Sequence, residues 1–299
     1  MDNVLTLVAG SASVLDDTTV AAAHEVLMSL GAAPGRTRWL KPGRALDLMF
    51  RGGDRRAIEK ALRERLALRP VDAVAQPRAG RRKRLLVADM DMTVTTVESI
   101  DELADLAGLR ERIAPITARA MAGGLDFATA LKARVAMLKG LDEAVLERTW
   151  RTRVALAPGA GTLVATMRAH GAYTVLVSGG FTFFTERVAR AAGFDDHEAN
   201  VLETKDGRLT GRVQEPSRGP EAKLHCLRRF AAKRGLKRAE TMAVGDGAND
   251  LDMLQAAGLG VAFNAKPAVA AAAPARIDHG DLTALLYVQG YPASGFRDA

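Results

Sequence analysis

Three short apolar runs, each ending abruptly in an acidic or glycine-rich turn, constrain this chain more than any other feature. Leu85-Leu86-Val87-Ala88 runs into Asp89-Met90-Asp91-Met92-Thr93, and Tyr173-Thr174-Val175-Leu176-Val177 into Ser178-Gly179-Gly180. Thr241-Met242-Ala243-Val244 runs into Gly245-Asp246-Gly247-Ala248-Asn249-Asp250, and Leu259-Gly260-Val261-Ala262-Phe263 has the same brevity. Such runs read as parallel strands buried on both faces, and helical periodicity fills the gaps between them. The fold class that satisfies both is α/β, an open parallel sheet covered by helices. Ligands of such sheets sit beyond the C-terminal ends of the strands, where these polar turns fall.

Two insertions interrupt the pattern. Residues from about 98 to 155 are helical throughout and predict a helical cap, and 199–213 alternate around Asp206-Gly207, a hairpin turn pair. Residues 1–77 read as a unit of their own. Strands at 4–9, 37–40, 46–50 and 71–75, with helices at 18–30 and 55–68, give the order βαββαβ of a ferredoxin-like α+β sandwich. The segment 78–84 then separates it, as a basic linker, from a domain covering 85–299.

Charge and cysteine content exclude several classes. The formal charge is +7, and removing the five basic residues of 78–84 leaves +2 for the rest. Aromatic residues are 5%, so the chain lacks the stacking surface and spread of charge expected of a nucleic-acid binder. The single cysteine, Cys226, excludes an internal disulfide, cannot build a zinc site alone and is expected to be packed and inert. No apolar run approaches the roughly 20 residues needed to span a membrane, and no secretory signal pattern opens the chain. These features predict a cytoplasmic protein.

The turns carry the chemistry. Strand alternation puts residues i and i+2 on one side, so Asp89 and Asp91 are expected to point together into the crevice. Carboxylates that close require a cation or a shared proton, and a magnesium ion supplies the cation. One aspartate can then attack phosphorus while the other gives and takes a proton. Taken alone, the pair fits a strand end with two solvated acids equally well. Ser178 and the glycine amides before a helix suit a phosphate oxygen, although Ser-Gly-Gly is also an ordinary turn. Lys223 alone would be a solvated lysine, and the turn holding Asp246 and Asp250 either faces a metal or only reverses the chain. Their joint occurrence at strand ends of one domain favours a working site.

In this order, the motifs at Asp89–Thr93, Ser178–Gly180, Lys223 and Gly245–Asp250 resemble those of the haloacid dehalogenase-like phosphatases, from about Leu85 to the C-terminus. Within that family the resemblance is to members that hydrolyse phosphoserine in the last step of serine biosynthesis. The cap residues Glu98-Ser99-Ile100-Asp101-Glu102, Met121, Phe127 and Arg134 match as well. The resemblance implies a Rossmann-like core in which Asp89 is the nucleophile and Asp91 the proton donor and acceptor. It implies Mg2+ held by the carboxylates of Asp89 and Asp246 and the main-chain carbonyl of Asp91, with Asp250 orienting that shell. Lys223, Ser178, Gly179 and Asn249 would bind the phosphoryl group. Glu98 would pair with the substrate ammonium, Arg134 with its carboxylate, and Met121 and Phe127 would line the pocket. Met92, where many members carry serine, departs from the pattern and is expected to face away from the aspartates.

Residues 1–77 resemble small amino-acid-binding (ACT-like) regulatory domains. Serine binding or homo-oligomer formation is the expectation for them, with a purely stabilising appendage as the alternative. For the whole chain, the alternatives are hydrolysis of another small phosphomonoester, such as phosphohomoserine or a sugar phosphate, or phosphate binding without catalysis. Retention of both Asp89 and Asp91 speaks against the last.

Overall fold

The computed structural model describes residues 2–121 and 125–298. The N-terminal unit comprises β1 (Asn3–Ala9), α1 (Asp17–Ser29), β2 (Ala33–Lys41), β3 (Ala45–Arg51), α2 (Arg55–Arg65) and β4 (Val71–Pro77). Both helices start at aspartate caps: the Asp16 carboxylate accepts from Thr19 N, and that of Asp54 from Ala57 N, each at 2.8 Å. The sheet is antiparallel in the order β2-β3-β1-β4, the ferredoxin-like arrangement. Leu5, Leu7, Leu46, Leu48 and Phe50 form its helix-covered core.

The larger unit begins with β5 (Leu85–Asp89), followed by α3 (Ser99–Leu106), α4 (Arg110–Met121), α5 (Phe127–Met137), α6 (Ala144–Arg153) and α7 (Ala160–Ala169). Then come β6 (Tyr173–Phe181), α8 (Thr182–Ala192), β7 (Asp196–Asn200), β8 (Leu202–Lys205), β9 (Arg208–Val213) and α9 (Pro220–Lys233). The chain closes with β10 (Thr241–Gly245), α10 (Leu251–Ala256), β11 (Leu259–Phe263), α11 (Pro267–Ala272), β12 (Ala275–Ile277) and α12 (Ala284–Val288). Its sheet is parallel, in the order β12-β11-β10-β5-β6-β7. The chain moves from β5 to one side through β6 and β7, then returns to the other through β10. The crevice therefore opens at β5, where that order reverses.

Two strands escape the apolar-run criterion. Edge strand β7 is Asp-His-Glu-Ala-Asn, which has no apolar run, and β12 is three residues long. Residues 199 and 200 accordingly belong to the main sheet, and the hairpin is β8–β9, turning at Asp206 (φ 50°) and Gly207 (φ 72°). The cap is α3–α6. Its two connections lie side by side, Thr96 N donating to Ala155 O and Ala157 N to Val94 O, at 3.1 and 2.8 Å. The hairpin is stitched to it through Gly140 N to Leu209 O and Leu209 N to Leu141 O, at 2.8 and 2.9 Å. Cys226 is buried, which pushes its thiol up to about 12.

The basic segment 78–84 is folded onto both units. The Arg81 guanidinium grips the buried Asp47 carboxylate of β3 with both terminal nitrogens. Lys83 Nζ donates to Gly80 O and Ala239 O at 2.9 and 2.7 Å, and Lys83 N to Gln289 Oε1 at 3.0 Å. Asp72 on β4 accepts from the amides of Asp278, His279 and Gly280. Val8, Ala45 and Val74, on the sheet face away from α1 and α2, share one apolar cluster with Leu282 and Leu285. That face is therefore buried against α12 and the segment before it.

Candidate active site

Strand β5 ends at Asp89, so strand alternation does not reach Asp91. Residues 90–94 form one wide turn, closed by Thr95 N donating to Met90 O at 2.9 Å. The turn, rather than the pleat, swings Asp91 back into the crevice. It requires Met92 to adopt φ 55°, a left-handed conformation costing a non-glycine residue roughly 1–2 kcal/mol. Met92 is 44% exposed.

Asp91 is held at both oxygens. Ser99 N, at the start of α3, donates to Oδ1 at 2.7 Å, and Ser178 Oγ, from β6, donates to Oδ2 at 3.0 Å. Burial raises the Asp91 pKa against these bonds, so the carboxyl is poised to keep a proton. Ser178 Oγ in turn accepts from Gly180 N at 2.8 Å. A side chain on Gly180 would meet Ser178 Oγ at 3.0 Å and Asp91 Oδ2 at 3.3 Å, so the backbone must stay bare there.

Lys223 enters from the first turn of α9, and its ammonium is buried. It donates to Asp89 Oδ1 at 2.6 Å and to Asp250 Oδ1 at 2.7 Å. Burial alone would lower the Lys223 pKa, but the two carboxylates outweigh it and raise it. Burial, followed by the Asp250 charge, raises that of Asp89 well above the usual carboxylate range, while Lys223 opposes the rise. Asp250 Oδ2 accepts from Gly247 N at 3.0 Å, closing the 245–250 turn. Asp246 accepts from Thr93 Oγ1 at 3.2 Å and is likewise raised by burial and by Asp250.

Oxygens of Asp89, Asp246 and Asp250 lie within 4.8 Å of one another. Lys223 is the cation that bonds to this set, so the carboxylates outnumber it and carry excess negative charge when ionised. That donor set, all hard oxygen, fits a divalent cation. Asn249 lies in the same turn, its Oδ1 over Gly247, where a side chain on the glycine would collide with it.

The cap supplies a second set of groups. The Phe127 ring stands over Gly179, whose Cβ, if present, would lie 2.8 Å from Phe127 Cζ. Arg134 is half-buried, and among the described residues its guanidinium makes one hydrogen bond, Nε to Ala130 O at 3.3 Å. Burial lowers its pKa, while Asp101, Glu98 and Asp91 hold it up, so it faces the acidic crevice. Crowding by protein, then the Asp91 and Asp246 charges, raises Glu98 to about 7, although much of the residue is open to solvent. The Met121 side chain lies outside the described residues.

Sequence reasoning missed three positions. Thr93 fixes Asp246, and the Ser99 amide fixes Asp91. Asn200 joins the Ser178–Gly180 turn to the α9 entry, donating from Nδ2 to Gly179 O at 2.9 Å and accepting at Oδ1 from Arg218 N at 2.6 Å. Thr93 and Ser99 stood inside quoted motifs, and Asn200 ends the strand that had no apolar signature.

Comparison with known proteins agrees with this geometry. The family model of the haloacid dehalogenase-like hydrolases matches residues 86–255, more than half of the chain. A phosphoserine phosphatase of Streptomyces coelicolor is 44% identical over 252 residues, 83% of this chain, which spans 61% of that protein's length. One from Archaeoglobus fulgidus is 40% identical over 242 residues, covering 80% of this chain and 70% of its own. The crystal structure of a probable phosphoserine phosphatase from Vibrio cholerae superposes with a TM-score of 0.79 at 30% identity, over 98% of this chain and 88% of that one. With a parallel core, a helical cap and buried aspartates gathered at β5 and β10, the chain belongs to the haloacid dehalogenase-like hydrolases, in their phosphoserine phosphatase branch.

Proposed function

We propose that this protein hydrolyses O-phospho-L-serine to L-serine and phosphate through an aspartyl phosphate on Asp89. The observation that carries the reading is the pairing of two unlike carboxyls at one strand end. Asp89 is bonded to an ammonium, and Asp91 is bonded to an amide and a hydroxyl. Burial raises both carboxyls; Lys223, bonded to Asp89, opposes the rise there and favours the ionised form a nucleophile needs, while among the described residues Asp91 has no ammonium bonded to it.

An Asp89 oxygen attacks phosphorus in line, and the bond from phosphorus to the serine oxygen breaks as Asp91 delivers its proton to that oxygen. Asp91, now ionised, takes a proton from water as the water oxygen attacks the aspartyl phosphate. The bond from phosphorus to Asp89 breaks, phosphate leaves, and both carboxyls return to their starting states. Lys223, Ser178 and the Gly179 and Gly180 amides neutralise phosphoryl oxygens where transition-state charge is spread. Mg2+ would be held by the Asp89 and Asp246 carboxylates and the Asp91 main-chain carbonyl, and when bound it supplies positive charge to the phosphoryl oxygens. Asp250, fixed by Lys223 and the Gly247 amide, orients that shell.

Arg134 is suited to the substrate carboxylate and Glu98 to its ammonium, with Phe127 closing the pocket over Gly179 and Met121 completing it. Asn249 is placed at the phosphoryl end. In this reading residues 85–299 form the catalytic domain of a cytoplasmic enzyme of serine synthesis. Residues 1–77, joined through 78–84, bind serine or support self-association. Among the described residues no helix is long and apolar enough to cross a membrane. Phosphate release from phosphoserine, phosphohomoserine and a sugar phosphate, with and without magnesium, tests class and substrate together. The reading expects magnesium-dependent release and a preference for phosphoserine. Equal rates on all three would leave a phosphatase of broader specificity, and no release would remove the catalytic reading.

A further inference from the structure

The face of the N-terminal sheet turned toward α12 is only partly covered. Val8, Ala45 and Val74 pack on the larger unit, and Asp47 takes the Arg81 guanidinium. Toward the β2 edge the same face opens into a cleft of about 360 Å3, floored by Met49, Gln289 and Gly290. Its walls are guanidinium groups: Arg36 and Arg38 from β2, and Arg78, Arg81 and Arg82 from the basic segment. The register pairs Arg38 with Asp47 across β2 and β3, which places both on this face.

Arg81 is neutralised by Asp47. Arg36, Arg38, Arg78 and Arg82 have no acidic partner among the described residues, and no carboxylate lines the cleft. Arg82 is held in place by lying over the Tyr291 ring, 4.4 Å from its centroid. Like charges gathered without a counter-charge repel one another, so the arrangement favours an anion. Planar guanidinium forks match phosphoryl oxygens in pairs.

We propose that this cleft is a binding site for a small polyanion carrying at least two linked phosphoryl groups. The unmatched guanidiniums exceed the charge of one phosphate and match that of a pyrophosphate-like group. A nucleic-acid strand is disfavoured, because no aromatic ring lines the cleft for base stacking. Arg36 and Arg38 belong to the small unit, while Arg82 rests on Tyr291 of the large one. A bound anion therefore ties the two units together and stabilises the folded chain by mass action. The site is independent of the reaction at Asp89.

Pyrophosphate titrated into the full-length protein by calorimetry, without divalent cation, tests the proposal. Binding is expected, together with a rise in the unfolding midpoint. The double variant Arg36→Gln/Arg38→Gln alters exposed side chains and is expected to keep the parent circular dichroism. It should weaken pyrophosphate binding by about tenfold or more, the equivalent of one charge-assisted hydrogen bond. Ser178→Ala, which alters the catalytic crevice, and Arg56→Gln/Arg228→Gln, which removes the same charge elsewhere, are expected to retain parental affinity. Unchanged affinity in Arg36→Gln/Arg38→Gln, or an equal loss in either control, overturns the proposal. A single-stranded oligonucleotide that binds more tightly than pyrophosphate and displaces it also overturns it, in favour of a nucleic-acid surface.

Discussion

Lys223 Nζ lies 2.6 Å from Asp89 Oδ1 in a pocket where both side chains are almost fully buried. The pair is the charge centre of the site. The ammonium opposes the upward pull of burial and of Asp250 on the Asp89 pKa, and it fixes the carboxylate at the end of β5. Removing one partner of such a pair leaves an uncompensated buried charge. Lys223→Met is therefore expected to destabilise the fold by about 3–5 kcal/mol and to lower turnover by at least about a hundredfold. Urea midpoints and phosphate release measure the two effects separately. A variant that retains parental activity would remove Lys223 from the account.

In the proposed mechanism Asp91 carries the proton in both half-reactions. Asp91→Asn is expected to lose roughly 10²–10⁴-fold in rate on phosphoserine. An ester with an activated leaving group needs no proton, so in single-turnover experiments it should recover the first step while hydrolysis of the intermediate stays slow. Equal losses on good and poor leaving groups would place Asp91 outside leaving-group protonation.

Among the described residues Arg134 makes one hydrogen bond, and it faces the acids of the crevice. Arg134→Ala is expected to lower kcat/KM for phosphoserine by an amount equivalent to about 2–5 kcal/mol. An ester of similar size without a carboxylate should lose far less. Proportional losses on the two substrates would assign Arg134 to cap stability.

Glu59 gives a prediction remote from catalysis. It is buried on α2, accepts from Ala75 N at 2.6 Å, and burial raises its pKa from 4.5 to about 7. Between those values the folded chain keeps a proton that the unfolded chain releases, so this group makes stability fall as pH rises from 4.5 through about 7. Below 4.5 both states are protonated and no penalty exists; above 7 the penalty is complete, at about 3 kcal/mol. Glu59→Gln is expected to match the parent near about pH 5 and to exceed its stability by about 2–3 kcal/mol near about pH 8.5. Parallel pH profiles for the two proteins would contradict the buried-acid reading.

Strands β5, β6, β10 and β11 were legible because burial on both faces demands unbroken apolar runs, and the turns after β5, β6 and β10 were legible as polar strand ends that meet in one crevice. Edge strand β7 was not: it carries no apolar run, and its buried Glu198 is held by ion pairs to Arg218 and Arg229 rather than by apolar packing. With it went Asn200, the link between Gly179 and Arg218. The convergence of Asp89 and Asp91 was anticipated for a different reason from the one the chain uses, since a turn with Met92 at φ 55° has no signal in strand periodicity. The segment 78–84 reads as a basic linker because the partners that fix Arg81 and Lys83, namely Asp47, Ala239 and Gln289, are distant in sequence. Only tertiary packing brings them together.

The central claim is a phosphoryl group carried on Asp89. The most direct measurement is mass spectrometry of peptides from Asp91→Asn protein, acid-quenched during turnover of a phosphate ester with an activated leaving group and magnesium, when the first step proceeds and hydrolysis of the intermediate is slowed. The account predicts one added phosphoryl group on the peptide containing Asp89, and none when Asp89→Asn is combined with it. A phosphoryl group on another residue, or release of phosphate with no adduct at any time point, would contradict it.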